Sequence, residues 1–143
     1  MKKFALSKKQ EKKIVEAIRE AELNSSGEIR VHISKEHVED HLEHAIKVFQ
    51  DLNMTETKDR NGVLFHVSIK DRKFTIIGDK GINEKVPEDF WDEIKNEVIK
   101  KFKKEKYVKG LSKGIRMTGK ALKKYFPYQD DDVNELPDEI TWG

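Results

Sequence analysis

The 143-residue chain contains no cysteine. This absence excludes disulfides, thiolate catalysis and thiolate zinc sites, so any metal site must use oxygen or nitrogen ligands. Long hydrophobic runs are also missing, because 39% of the residues are charged and only 36% are hydrophobic. This composition excludes membrane spans and predicts a single domain with a modest core and a densely ionised surface.

A net charge of one sign is missing as well, since 29 basic and 27 acidic residues leave a formal charge of +2. A nucleic-acid partner is therefore not expected. The two signs are nevertheless segregated: residues 95–124 (the lysine-rich segment) carry a balance of +10, whereas residues 129–143 hold six acids and no bases. The basic side chains of the lysine-rich segment are Lys95, Lys100, Lys101, Lys103, Lys104, Lys106, Lys109, Lys113, Arg116, Lys120, Lys123 and Lys124. A solvated helix face is the favoured interpretation of this segment, and an interaction surface for an anionic partner is the alternative.

The chain begins with a basic stretch, Met1-Lys2-Lys3, as a secretory signal does. Only three apolar residues follow before the next polar residues, which is too short for the hydrophobic region of a signal peptide. A cytoplasmic location is the expectation that follows.

Hydrophobic periodicity divides the chain into helices and strands. Helical spacing predicts helices over 7–24, 42–53, 87–102 and 108–125, and β-type runs predict strands over 28–34, 63–69 and 73–77. Ser7 and Gln10 form a predicted capping box, and Pro87 is expected in the first turn of its helix, ahead of Glu88 and Asp89. Residues 55–62 and 78–81 are predicted loops, the second with glycines that permit positive φ and close backbone approach.

This order predicts a small mixed sheet of three to four strands with helices on both faces, an α/β fold. A right-handed crossover makes the first two strands parallel, and a hairpin at 70–72 adds an antiparallel third. The domain is expected over residues 1–127, with an acidic C-terminal tail at 128–143 that Leu136, Ile140 and Trp142 could dock.

The predicted topology gathers oxygen ligands at one end of the sheet, where the first two strands begin and the third ends. The candidates come from four separate segments: Glu28, Asp59, Asn61, Asp79 and Glu88. Calcium takes about six to eight oxygen ligands and magnesium fewer from protein, so the set fits a hard divalent cation. The alternative is structural: Asp59 and Asp79 stabilise turns, and Glu88 meets a helix dipole.

Several short motifs occur in a specific order along the chain. They are Ser26-Gly27-Glu28-Ile29-Arg30-Val31, Arg60-Asn61-Gly62-Val63-Leu64, Gly78-Asp79-Lys80-Gly81-Ile82, Phe90-Trp91, Tyr107 to Leu111 and Gly114-Ile115. In this order they resemble the TPM domain family over roughly Ser7 to Pro127. The resemblance implies a three-layer α/β/α sandwich, a divalent cation at the loop end with calcium the leading candidate, and the acid phosphatase activity proposed for plant members. Glu88 stands where relatives commonly place a helix-opening aspartate.

The function expected from these observations is that of a divalent-cation-binding or regulatory module, with Asp79 and Glu88 as the core ligands. A metal-assisted phosphatase is the alternative, in which Arg60 or Lys80 would neutralise the phosphate; no nucleophile motif accompanies it. The third hypothesis is an interaction protein that binds anionic partners through the lysine-rich segment.

Histidines offer a separate possibility. His37, His41 and His44 fall at helical spacings and could present imidazoles to zinc or nickel, although the acids around them favour a solvated helix face. His32 and His66 lie on predicted strands, where sequence alone assigns them no partner. Trp91 is expected in the core beside Phe90, with a position on the rim of the cation end as the alternative.

Overall fold

The computed structural model of the protein describes residues 6–23, 25–127 and 140–143. The helices are α1 (Lys8–Glu22), α2 (His41–Asp51), α3 (Lys80–Asn83), α4 (Phe90–Phe102) and α5 (Tyr107–Tyr125), with a 3-10 turn at Met54–Glu56. The strands are β1 (Glu28–Ser34), β2 (Gly62–Ser68), β3 (Lys73–Gly78) and β4 (Thr141–Trp142). The predicted mixed sheet between helices is confirmed.

The four strands form one sheet in the order β3-β2-β1-β4. β1 and β2 are parallel, with Glu28 opposite Gly62, as the crossover rule predicts. β3 is antiparallel to β2, with Val63 opposite Gly78. The first residues of β1 and β2 and the last residue of β3 therefore share one end of the sheet.

Each face of the sheet packs against its own helices, which gives three layers. On one face Val31, Phe65 and neighbouring apolar residues join a core with α1, α4 and α5. On the other face Leu64 packs with Val48 and Phe49 of α2 and with further apolar side chains. Successive strand side chains point to opposite faces of the sheet and so contribute to two cores of different size.

The N-terminus of α1 is capped as predicted, and the glycines of α5 lie at close helix contacts. Gln10 N donates to Ser7 Oγ at 3.2 Å and Ser7 N donates to Gln10 Oε1 at 2.9 Å, completing the capping box. A Cβ on Gly119 would lie 2.7 Å from Ala21 Cβ, and one on Gly114 would lie 2.7 Å from Val98 Cγ2. The glycines therefore allow α5 to approach α1 and α4 closely.

The predicted loop at 55–62 is confirmed over residues 57–61, and its first residues belong to the 3-10 turn Met54–Glu56, which follows Asn53 at φ 58°. Two other local predictions were wrong. The predicted loop at 78–81 begins α3, and no glycine of the described residues has a positive φ; close backbone approach alone explains these glycines. Pro87 was predicted in the first turn of its helix, but it lies in the turn before α4, which begins at Phe90. Phe90 N donates to Pro87 O at 3.1 Å and closes this turn.

Part of the predicted tail docks on the sheet. Thr141 pairs with His32 as β4 runs parallel to β1, and Ile140 packs against the larger core. Residues 128–139, which hold the predicted acidic cluster, lie outside the described residues. Among the helices that the structure describes, none has the length and apolar character needed to cross a membrane.

Candidate functional site

The strand register brings the predicted ligand segments to one end of the sheet. Glu28 opens β1 and is 2% exposed, while Asn61 immediately precedes β2 and is 1% exposed. Asp79 follows β3, and its backbone N donates to Gly62 O at 2.9 Å. Glu28, Asn61 and Asp79 therefore lie near one another, as the sequence predicted.

Asp79 forms an ion pair with Arg60. Arg60 Nε donates to Asp79 Oδ2 at 2.7 Å and Arg60 Nη2 donates to Oδ1 at 2.9 Å. Lys80 N also donates to Oδ1, at 2.8 Å, so both carboxylate oxygens accept hydrogen bonds. The hydrogen bond to Asp79 is the main cause that raises the pKa of Arg60. A two-point pair of this kind neutralises the carboxylate that sequence analysis placed at the centre of a metal site.

The loops that carry this pair are locked by Gly81. Its N donates to Arg60 O at 2.8 Å, and a Cβ at this position would collide with the carbonyl oxygens of Asp59 and Arg60. Arg60 itself has φ 51°, in the left-handed region. Close approach of two backbones thus sets the position of the Arg60 guanidinium.

A second group of polar side chains lies beside the first: Ser26, Asp59 and Asn61, named here the Asn61 cluster. Ser26 Oγ lies 3.0 Å from Asp59 Oδ2 and 3.2 Å from Asn61 Nδ2. An amide nitrogen only donates, so the Ser26 hydroxyl accepts from Asn61 Nδ2 and donates to Asp59 Oδ2. This order fixes the orientation of the Asn61 side chain. Its Oδ1 is buried and has no hydrogen-bond partner among the described residues.

The remaining predicted site residues are at the periphery. Glu88 lies exposed in the turn before α4, and Lys80 is exposed in the first turn of α3. Trp91 is half-buried and packs against the larger core beside the Phe90 ring, as predicted. Its Nε1 donates to Asn83 Oδ1 at 2.7 Å and its ring lies against Gly78, so it also borders this end of the sheet. Over the described ranges, no three Asp, Glu or His side chains are placed to hold a metal as they stand.

The histidines form contacts that the sequence did not predict. His37 Nδ1 lies 2.8 Å from Asp71 Oδ1, and His41 Nε2 lies 3.3 Å from Asp71 Oδ2. Hydrogen bonding to His37 is the main cause that lowers the pKa of Asp71 to about 2. His37 precedes α2 rather than belonging to it, and His41 is only 20% exposed. The solvated helix face predicted for these histidines is therefore wrong.

His32, His44 and His66 pack together between α2 and the sheet. His44 Nδ1 lies 2.8 Å from His66 Nε2, and the His32 and His66 rings stack with centroids 5.6 Å apart. Burial, followed by repulsion from neighbouring cations, lowers the pKa of both His32 and His66 to about 4. The parallel register of β1 and β2 places His32 opposite His66. A sequence-based alignment of these two strands could therefore have predicted the contact between the two rings.

The lysine-rich segment covers α4 and α5, and its charges crowd one another. The pKa of Lys101 is lowered, first by loss of hydration and then by repulsion from Lys106 and other lysines. Lys113 Nζ is 3.1 Å from Glu97 Oε2, which neutralises one position of the surface. Lys101 and these neighbouring lysines therefore form a local patch of positive charge.

The profile of the TPM domain matches residues 3–121. The chain belongs to the TPM domain family. The TPM fold seen here is similar to the NMR structure of BA42 protein from the psychrophilic bacterium Bizionia argentinensis, at 48% identity, covering 98% of this chain and 97% of that one with a TM-score of 0.91.

Two more distant structures share the fold of this TPM domain. The N-terminal domain of a protein from P. gingivalis has 19% identity and a TM-score of 0.70, covering 87% of this chain and 82% of that one. The N-terminal domain of cg2496 protein from Corynebacterium glutamicum has 12% identity and a TM-score of 0.67, covering 91% of this chain and 81% of that one. No curated protein matches the sequence.

Proposed function

We propose that this TPM domain binds a divalent cation, with calcium the leading candidate, at the end of the sheet that carries the Asn61 cluster. The observation that supports the proposal is Asn61 Oδ1, a buried acceptor for which the described part of the chain supplies no hydrogen-bond partner. A buried carbonyl-type oxygen left without a partner costs about 1–3 kcal/mol, so a ligand that satisfies it binds favourably. Hard divalent cations prefer oxygens of this kind.

The residues around Asn61 fit such a cation. Asp59 is exposed and supplies negative charge, and Ser26 Oγ contacts both Asp59 and Asn61. Glu28, a buried carboxylate, opens the adjacent strand. Calcium can complete its shell of about six to eight oxygens with backbone carbonyls and water, and magnesium would retain more water.

Asp79 and Glu88 would join the cation site under different conditions. Asp79 becomes a ligand only when the cation replaces Arg60, because its oxygens now accept from Arg60 and Lys80 N. Such an exchange would free the Arg60 guanidinium, which is the kind of local change that a regulatory module needs. Glu88 remains a predicted ligand, since an exposed side chain on a turn can reorient at little cost.

The test is a calcium titration followed by NMR chemical shifts and by calorimetry, repeated with magnesium. We expect shifts centred on Ser26, Asp59 and Asn61, and we expect Asp59→Asn to weaken calcium affinity about tenfold or more. Asp51→Asn, the same change at an exposed position of α2, is the matched control and should leave affinity unchanged.

Arg60→Gln distinguishes the two parts of the proposal, because it removes the internal cation from Asp79. If Asp79 joins the ligand set, this variant binds calcium more tightly than the parent protein. If Arg60→Gln has no effect while Asp59→Asn weakens binding, the cation site is the Asn61 cluster alone. Unchanged affinity in Asp59→Asn, with shifts elsewhere, contradicts the proposed site.

Phosphate-ester hydrolysis would need this cation as a Lewis acid and Arg60 or Lys80 to hold the phosphate. Arg60 is already paired with Asp79, so we propose a binding or regulatory role ahead of catalysis. An aryl phosphate assay with calcium or magnesium bound, compared with Asp59→Asn, tests the phosphatase alternative. A cytoplasmic location remains a prediction, which cell fractionation can check.

A further inference from the structure

A cavity of about 610 Å³, named here the hairpin cavity, opens between the β2–β3 hairpin and α4, at the end of the sheet opposite the Asn61 cluster. Its floor is apolar: Val67 and Phe74 are each 3% exposed. The centroid of the Phe102 ring lies 5.6 Å from that of Phe74 and 5.2 Å from that of Tyr107, both in edge-to-face geometry. Packed aromatic rings therefore form part of the floor. The volume lies within the range of about 300–1,000 Å³ that is usual for small-molecule sites.

The rim of this cavity is predominantly positive. Of the described residues that line it, five are exposed cations and one, Glu105, is a carboxylate. The cations are Lys70, Arg72, Lys73, Lys95 and Lys103. Apolar walls beneath a ring of like charges strengthen the local field, so the cavity attracts anions.

A second cleft shows that this rim is not a general property of a lysine-rich protein. The cleft between α1 and α5 has a similar volume, about 540 Å³. Its lining mixes both signs, with Glu16 and Glu20 beside Lys13 and Arg116. A predominantly positive rim above an apolar floor therefore distinguishes the hairpin cavity from a comparable cleft.

We propose that the hairpin cavity binds a small amphipathic anion, a molecule with one acidic head group and an unbranched apolar chain, such as a medium- or long-chain carboxylate. The apolar floor would bury the chain, while the flexible lysines of the rim reach the head group. A small inorganic anion leaves the floor in water, and a neutral apolar ligand gains nothing from the rim. This site is independent of the proposed cation site.

The chain-length dependence of binding tests the proposal directly. We would titrate the protein with hexanoate, octanoate, decanoate and dodecanoate below their micelle concentrations, using calorimetry and NMR shift mapping. Affinity should rise about fourfold for each methylene that enters the cavity, and shifts should centre on the hairpin and α4. Dodecyltrimethylammonium, with the same chain and a cationic head, should bind at least about tenfold more weakly.

A matched pair of double variants separates local charge from net charge. Lys73→Gln combined with Lys95→Gln removes two cations from the rim and should weaken dodecanoate binding about tenfold. Lys13→Gln combined with Arg116→Gln lowers the net charge equally at the other cleft and should change the affinity less than about twofold.

Three results would overturn the proposal. Equal affinity for all chain lengths would mean that the lysines attract any anion. Equal affinity for dodecanoate and dodecyltrimethylammonium would mean that the rim plays no part. Sedimentation with phosphatidylglycerol vesicles, without binding of dodecanoate, would mean that the surface meets a membrane instead of a free molecule.

Discussion

His66 is completely buried on β2, where a titratable ring meets two others. His44 and His32 are its direct ring neighbours, His41 lies close enough to add repulsion, and Arg30 does the same to His32. Loss of hydration is the largest cause that lowers the pKa of both His32 and His66 to about 4, against an ordinary 6.5. The native protein therefore keeps these two rings neutral, whereas the unfolded chain protonates them near pH 6.5.

The pH dependence of stability follows with a definite sign. The native state binds fewer protons than the unfolded state between pH 6.5 and about 4, so stability present above pH 6.5 is lost as the pH falls through this window. The slope reaches at most about 1.4 kcal/mol per pH unit for each histidine. Urea unfolding at pH 7.5, 6.0 and 5.0 measures it.

His66→Gln should flatten this dependence, while His37→Gln, at a position with a 62% exposed side chain, should retain most of it. Asp71 acts in a different window, because its pKa of about 2 means that its contribution is lost only at lower pH. Stability that is constant from pH 7.5 to 5.0 would contradict the assignment to buried neutral histidines.

At the scale of elements, the contact between α1 and α5 depends on the absence of a side chain at Gly119. A Cβ there would lie 2.8 Å from Ala21 Cα and 3.1 Å from Ala21 O, so the obstacle is backbone rather than a flexible side chain. Helix propensity alone favours alanine over glycine by about 1 kcal/mol. Steric overlap in a packed core costs about 1–3 kcal/mol and opposes this gain.

Because the steric cost exceeds the propensity gain, we expect Gly119→Ala to lower the free energy of unfolding by about 1 kcal/mol, with an upper limit of about 2 kcal/mol. Lys120→Ala, one residue along on the exposed side of α5, should change it by less than about 0.5 kcal/mol. Urea unfolding of both variants gives the comparison. A Gly119→Ala variant that is more stable than the parent would show that α1 shifts away at no cost.

Local patterns predicted the elements well, since alternation at Ile29, Val31 and Ile33 marks β1 and the crossover rule orients it against β2. They also predicted which end of the sheet gathers the polar segments. The pairing of Arg60 with Asp79 was not predicted, because no periodicity reports which of several nearby charges a guanidinium selects. The contact of His44 with His66 likewise depends on how α2 lies across the sheet.

At the scale of the whole molecule, β4 covers one side of β1. Gly143 N donates to Ile33 O at 3.0 Å, and Thr141 Oγ1 lies 2.7 Å from His32 Nδ1. Without β4, backbone groups of β1 would be uncovered along this edge. Uncovered edges of this kind template pairing with other chains.

Removal of residues 140–143 should therefore lower the melting temperature and increase self-association, measured by size-exclusion chromatography over a range of concentrations. Trp142→Ala keeps the backbone of β4 and serves as the control, because it removes only a side chain that is 39% exposed. Equal self-association of the two variants would assign the effect to the tryptophan and not to the strand edge.

β2 connects the two proposed sites at opposite ends of the sheet. It runs from Gly62, beside the Asn61 cluster, to Ser68, which lines the hairpin cavity. Six residue steps at about 3.3 Å place these ends about 20 Å apart. At physiological ionic strength the Debye length is about 8 Å, so the part of a divalent ion's field that passes through solvent is largely screened over this distance. Solution electrostatics therefore keeps the two sites separate, and any effect of one occupant on the other would have to pass through the strand itself.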